Sequence, residues 1–387
     1  MADNRPKKGR LCEVVVLFLK LGVIGFGGSA VHIAMMEEEV VVRRKWISHE
    51  YFLDLVGLTQ VIPGTHSMAL AVHLGFLRAG WLGFLGAGLC FAGPAVIITM
   101  VLAWVYMQFG AVPEVADLFY GLKPAMIAVI LCAIWRLGTR AVKGWRLGFL
   151  GLAVALVSLT EFSGMLALLG GGVVGMFWLR AMALQTGSMA AVLPVVGVAI
   201  MAGESLAAAG PSLWVLGLFF LKIGAVLYGS EYLMVAFLQE GLVHHYAWLT
   251  QEQVLEAVAI GQCVPGPIVS TAAFVGLLVT GGEWLGALVA AGAIFLPSFV
   301  FVAALNPVLP RLRDSIWVAA FLDAVGVCAL GLMVSVTVEL GYLELDEWPK
   351  IAIALVATVL GVWKGVTAGW LVLGGALVGW AVLMLGY

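Results

Sequence analysis

The chain contains itself twice. Residues 17–75 align with residues 219–277 without a gap, at an offset of 202. Phe18/Phe220, Lys20/Lys222, Gly22/Gly224, Gly27/Gly229, Glu38/Glu240, Trp46/Trp248, Gln60/Gln262, Pro63/Pro265 and Gly64/Gly266 are identical pairs. One inserted residue moves the offset to 203, and Trp81/Trp284, Gly83/Gly286 and Pro94/Pro297 fall into register. A duplicated chain has to build two similar units that stack on each other. The expected organisation is a first repeat over 1–180, a connector over 181–210 and a second repeat over 211–387.

Composition says what solvent the units face. Of 387 residues, 63% are hydrophobic and only 11% charged, with a mean hydropathy of +1.09. Soluble domains carry about 25% charged residues. The apolar stretches are long and lack strand-like alternation, so the fold class is an all-α membrane protein, a polytopic helical bundle. The 49 glycines suit closely packed membrane helices. A net charge of −2 and the lack of a basic stripe argue against a nucleic-acid partner. The five cysteines lie scattered in apolar sequence with no CxxC or HExxH, so they read as small packed hydrophobes, and no metal or cofactor is expected. The basic start MADNRPKKGR precedes an apolar run that recurs at 219–234, and so reads as part of the fold rather than as a signal peptide.

Candidate spans are 11–34, 80–108, 114–138, 145–160 and 163–180, then 211–236, 284–305, 316–338, 350–363 and 367–386. An apolar stretch at 189–202 lies in the connector. Between the first two spans of each repeat sits a helix that opens at an N-cap, Ser48 or Thr250, and stops at a Pro-Gly, 63–64 or 265–266. A second apolar helix follows. Each piece is about 20 Å long and too short for about 30 Å of hydrocarbon. Together they form either a re-entrant hairpin or one broken spanning helix.

Loop charges give orientation. Glu114 and Asp117 in the first repeat correspond to Arg311 and Arg313, against Asp314, in the second; Arg136, Arg140, Lys143 and Arg146 correspond to Glu339, Glu344, Asp346 and Glu347, against Lys350; Glu161 corresponds to Lys364. Three successive loops reverse sign. Cytoplasmic loops prefer Lys and Arg, so the repeats are expected in opposite orientations, with ten to thirteen crossings. Inverted repeats with broken helices are a transporter plan.

The residues that could carry chemistry cluster at the breaks. Pro63 and Pro265 interrupt the helix, Gly64 and Gly266 let the backbone turn, and the next helix opens with free N–H groups around Thr65–Ser67 and Ile268–Ser270. Such groups bind anions. Pro267, Ser67 and Ser270 belong to this candidate site. Lys20 and Lys222 lie deep in apolar helices, where a retained charge is usually functional, and read as paired cations near an anion path. Gln60 and Gln262 end the first half-helices and can donate to an oxyanion. Gly27, Gly28 and Gly229 read equally as close backbone approach or as a packing face. Glu37–Glu39 with Arg43–Lys45 read as a solvated interfacial segment.

The segments FGGSAVHIAMMEEEV (26–40), LTQVIPG (58–64), VPGP (264–267) and IFLPSFVFVAALNPVLPRLRDS (294–315) resemble the chromate ion transporter family, in its long two-domain form. The resemblance runs over nearly the whole chain. It implies export of chromate, a tetrahedral oxyanion similar to sulfate, across a bacterial cytoplasmic membrane, with chromate resistance as the result. The expected partners are that oxyanion and the lipid bilayer, with a homodimer as the assembly to consider. Two departures stand out: Ser29 where proline commonly follows Phe-Gly-Gly, and Thr65-His66-Ser67 where the family commonly has Pro-Asn-Ser or Pro-Ala-Ser. No GxxxxGK[ST] motif is present, so an ion gradient or the membrane potential must drive transport. A cation or proton exchanger using Asp54, Glu231 and Glu256 is the rival reading. An intramembrane enzyme would need a nucleophile–base or metal constellation, and none is visible.

Overall fold

The computed structural model describes residues 7–60, 62–110, 112–160, 163–180, 210–228, 231–305 and 315–385. Among them every regular element is helical. The connector, the 306–314 loop, Glu161 and Gly229 lie outside the described residues.

The first repeat runs α1 (Lys7–Ile24), α2 (Ser29–Glu37), a π-helix π1 (Glu38–Arg43), α3 (His49–Thr59), α4 (His66–Phe109), α5 (Pro113–Ala141), α6 (Trp145–Ser158) and α7 (Gly164–Arg180). The second runs α8 (Leu213–Val226), α9 (Leu233–Leu238), π2 (Gln239–His245), α10 (Gln251–Gln262), α11 (Pro267–Val279), α12 (Trp284–Leu305), α13 (Ile316–Glu344), α14 (Trp348–Trp363) and α15 (Ala368–Met384). The elements recur in order at the sequence offset. Even the strained turn before each Trp is repeated: Lys45 and Ala247, equivalent positions, have φ of 52° and 51°. The long α4 hides a break at Ala79 and Gly80 (φ 65°, ψ −151°), and it matches the gap between α11 and α12.

The expected spans 11–34 and 211–236 are not single helices. α1 ends at Ile24 and α2 begins at Ser29. Gly27 takes φ 109°, a conformation that favours glycine. In the second repeat α8 ends at Val226 and α9 begins at Leu233. Gly27 therefore marks a chain break in the first repeat, which periodicity does not reveal because both pieces are apolar.

Among the described residues four helices are long and apolar enough to cross a membrane: 66–109, 117–141, 284–304 and 316–344. The chain is a multi-pass helical membrane protein. Shorter apolar helices, 145–158, 164–179, 348–363 and 368–384 among them, pack around these.

The two repeats are interleaved. α5 packs against α14 and α15 of the other repeat, while its counterpart α13 packs against α6 and α7. This reciprocal exchange is the pattern of a pseudo-two-fold. At the α5–α15 crossing, Gly121 lies directly on Gly375 and Gly379, with no room for a Cβ on any of them. Small residues permit such backbone approach, which gains dispersion contacts where lipid offers no hydrophobic driving force. α4 also packs on α11 and α12, so the two Pro-Gly breaks meet in the interior.

Candidate functional site

Three helices begin at one cavity. Its wall includes Ser29 at the start of α2, Thr65 and Ser67 at the start of α4, and Gly266, Pro267, Ile268 and Val269 at the start of α11. Gly22, His32, Met68, Phe91, Ala92, Glu231, Pro265 and Phe295 complete it, around an empty volume of about 410 Å³ that includes space open to solvent. Both repeats supply wall, and several pairs are symmetry mates: Ser29 with Glu231, Thr65 with Pro267, Ser67 with Val269.

The three N-termini are left open. α3 and α10 carry side-chain caps, from Ser48 to Tyr51 N and from Thr250 to Gln253 N. α2, α4 and α11 carry none. In α4 the first intrahelical bond runs from Ala69 N to Thr65 O at 3.0 Å, so His66, Ser67 and Met68 donate ahead of it. In α11 it runs from Ser270 N to Gly266 O at 3.0 Å, ahead of which Pro267 has no N–H and Ile268 and Val269 do. In α2 Val31 N reaches Gly28 O at 3.0 Å, and Ser29 and Ala30 precede it. Convergent helix N-termini bring partial positive charge and donors to one place, which suits an anion. Two buried polar groups of the wall also lack a hydrogen-bond partner: Thr65 Oγ1, on a residue 6% exposed, and His32 Nδ1, on a residue 4% exposed. The other ring nitrogen of His32 lies 2.7 Å from Gly25 O.

The residues singled out in the sequence divide between this wall and its surroundings. Ser67, Pro265, Gly266 and Pro267 line it. Gly28 caps α2 beside it, with Gly27 just ahead. Gly64 is buried at the break, but its N–H donates to Leu227 O at 2.8 Å and is not open to a ligand. Pro63 is buried next to it. Ser270 turns inward, its hydroxyl donating to Pro265 O at 3.1 Å. Gln60 is exposed at the end of α3. Gln262 lines a smaller adjoining pocket together with Glu231.

Neither lysine is part of the wall. Lys20 Nζ sits 2.6 Å from Glu39 Oε1, and Arg44 Nε holds the other oxygen at 3.2 Å. The segment read as solvated thus contains a buried carboxylate paired with Lys20, Arg44 and, at 3.5 Å, Arg43. Helical rotation explains the placement. Gly22 faces the cavity, and a residue two positions away points about 200° around the helix. Lys222 stands in the same relation to Gly224 and is half-buried with no ion-pair partner among the described residues.

A second polar cluster went unread. Lys123 Nζ lies 2.9 Å from Glu252, 4.0 Å from Glu256 and 3.9 Å from Glu344. Tyr106 donates to Glu256 at 2.5 Å. The cluster ties α4 and α5 to α10 and α13. Its signal was available: a Lys-Pro inside the apolar run 120–135.

A multi-pass helical bundle of two similar, interleaved halves around an internal cavity of open helix ends is the architecture of a membrane transporter. Residues 12–176 and 214–380 each match the family described as Chromate transporter, and the chain belongs to that family. It is 32% identical to a chromate transport protein of Cupriavidus metallidurans over 95% of this chain and 92% of that one. It is 31% identical to a probable chromate transport protein of Synechococcus elongatus, over 92% and 90%. A chromate transport protein of Pseudomonas aeruginosa is 29% identical over 96% and 92%. No solved structure matches the chain.

Proposed function

We propose that this protein exports chromate across a bacterial cytoplasmic membrane, with sulfate as a competing tetrahedral oxyanion, and that export confers chromate resistance. One observation carries the reading: three uncapped helix N-termini, from both repeats, open on a single cavity. An oxyanion there accepts from Ser67, Met68 and Val269 N–H groups and from the Thr65 hydroxyl. The chain names of the relatives point to chromate among the oxyanions. Lys20 and Lys222 contribute only long-range positive potential in this scheme, and Gln262 borders the anion through the adjoining pocket. The exchanger reading is weaker because Glu256 is already held by Tyr106 and Lys123.

The test is chromate uptake into proteoliposomes at set membrane potential and pH. Potential-dependent chromate flux, blocked by excess sulfate, is the expected result. Flux of a monovalent cation with no chromate movement would replace this reading with the exchanger. The mass of the lipid-embedded particle reports whether the homodimer forms.

The repeats are taken to sit in opposite orientations, on the strength of the loop charge reversal. Lys143 and Asp346 are exposed equivalents at the α5–α6 and α13–α14 turns. Single cysteines there are expected to react with an impermeant maleimide from opposite sides of the membrane. Reaction of both from one side would show parallel repeats.

A further inference from the structure

The cavity that suits an anion also holds a carboxylate. Glu231 forms part of its wall and of the adjoining pocket with Gln262 and Thr271. A Cβ built on Gly28 would come within 2.6 Å of Glu231 Oε1, so the carboxyl group rests against the start of α2. It occupies the second-repeat position equivalent to Ser29. No lysine or arginine lines the cavity, and no ion pair to Glu231 is found among the described residues. An ionised carboxylate at that position competes with an entering anion for the positive end of α2. A divalent oxyanion entering beside it meets like charge at a few ångströms.

Building on the oxyanion-transport reading above, we infer that Glu231 is the proton site of the transport cycle: it must be protonated for a divalent oxyanion to occupy the cavity, so that one proton travels with each oxyanion. Protonation removes one negative charge and turns the carboxyl into a donor facing the anion. When the anion leaves, Glu231 loses its proton to the same side and its carboxylate returns to the α2 end. Each cycle then moves two negative charges and one proton in one direction, or one net negative charge. An inside-negative membrane potential drives that movement outward.

Other groups near Glu231 have different commitments. His32 on α2 faces the same cavity and is the competing titratable group. Tyr232 is the adjacent residue, within electrostatic reach of Glu231 itself and of Arg136 on α5. Arg136 also donates to Gly361 O at 2.8 Å. α13 packs on α9, but its acids are engaged elsewhere: Asp323 with Lys143, Glu339 with His244 and Glu344 with Lys123.

The test measures chromate and proton movement together in proteoliposomes, for the parent chain, Glu231→Gln and Glu231→Asp. The parent is expected to move protons with chromate in the same direction, and to slow as pH rises. Glu231→Gln should still exchange labelled chromate across the membrane, with at least a tenfold weaker pH dependence and no accompanying proton flux. Glu231→Asp should keep proton flux with a displaced pH profile, which guards against a glutamine variant that fails to fold. Chromate transport by the parent without proton movement overturns the assignment, as does unchanged proton flux in Glu231→Gln, which would shift it to His32. Comparing variants under identical chromate cancels the substrate's own protonation. Failure of chromate transport in the parent would instead remove the functional reading on which the proposal rests.

Discussion

Gly64→Val is expected to remove most of the folded protein from the membrane, while Gly266→Ala leaves it folded. The two glycines are equivalent in sequence but not in surroundings. Gly64 has φ 105°, and a Cβ there would overlap the buried Ser298 hydroxyl. Its N–H also holds Leu227 O at 2.8 Å, a bond across the repeats. Left-handed strain of about 1–2 kcal/mol adds to overpacking of about 1–3 kcal/mol, a large share of a typical stability. Gly266 has φ 69°, but a Cβ there finds Val269 Cγ1 at 3.3 Å and Ala95 Cβ at 3.6 Å, so the cost is backbone strain and one tight side-chain contact that a small shift of Val269 relieves. The methyl group sits at the open end of α11, so the chromate-induced rise in melting temperature should shrink while the unliganded value falls only a little. Yield of monodisperse particles and melting curves with and without chromate decide this. Normal yield for Gly64→Val would show that the break tolerates bulk and that the overlap is relieved by local movement.

The same pair shows how far the sequence could be read. The duplication, the helical membrane class and both Pro-Gly breaks follow from spacing and hydropathy, because a repeat leaves identical residues in register and lipid demands long apolar runs. Thr65, Ser67 and Gly266 were findable because a helix start after Pro-Gly is local. The third N-terminus, at Ser29, was hidden inside a run that is apolar on both sides of the Gly27 turn. Glu231 was visible as a charge, but only the fold carries it onto Gly28, which is 203 residues away in the chain. The surroundings of the lysines are not legible in the sequence, for a geometric reason. Depth along a helix is legible in one dimension, but the face a residue presents depends on what packs beside that helix. Glu39 supplied the missing partner from π1, and a π-helix shifts register in a way that a 3.6-residue pattern does not encode.

That asymmetry between the lysines gives the second large effect. Lys20→Met should destabilise the protein, and Lys222→Met should not. Glu39, on a residue 7% exposed, holds Lys20 at 2.6 Å and Arg44 at 3.2 Å. Removing one partner of a buried pair costs about 3–5 kcal/mol when the remaining charge is left alone. Here Arg44 and the more distant Arg43 stay, and the Lys20 side chain is 47% exposed, so the loss is discounted to about 1–2 kcal/mol. Position 241, the counterpart of Glu39, is Gly241, so Lys222 has no equivalent carboxylate to leave behind. The discriminating measurement is a double-mutant cycle. Glu39→Gln introduced into Lys20→Met should restore part of the lost melting temperature, because it removes a buried carboxylate whose pairing is then incomplete. If the double variant is no more stable than Lys20→Met, the ion pair is not what Lys20 contributes. If Lys20→Met is fully stable but abolishes chromate flux, the lysine acts on the anion itself, and the anion path must run along the far side of α1.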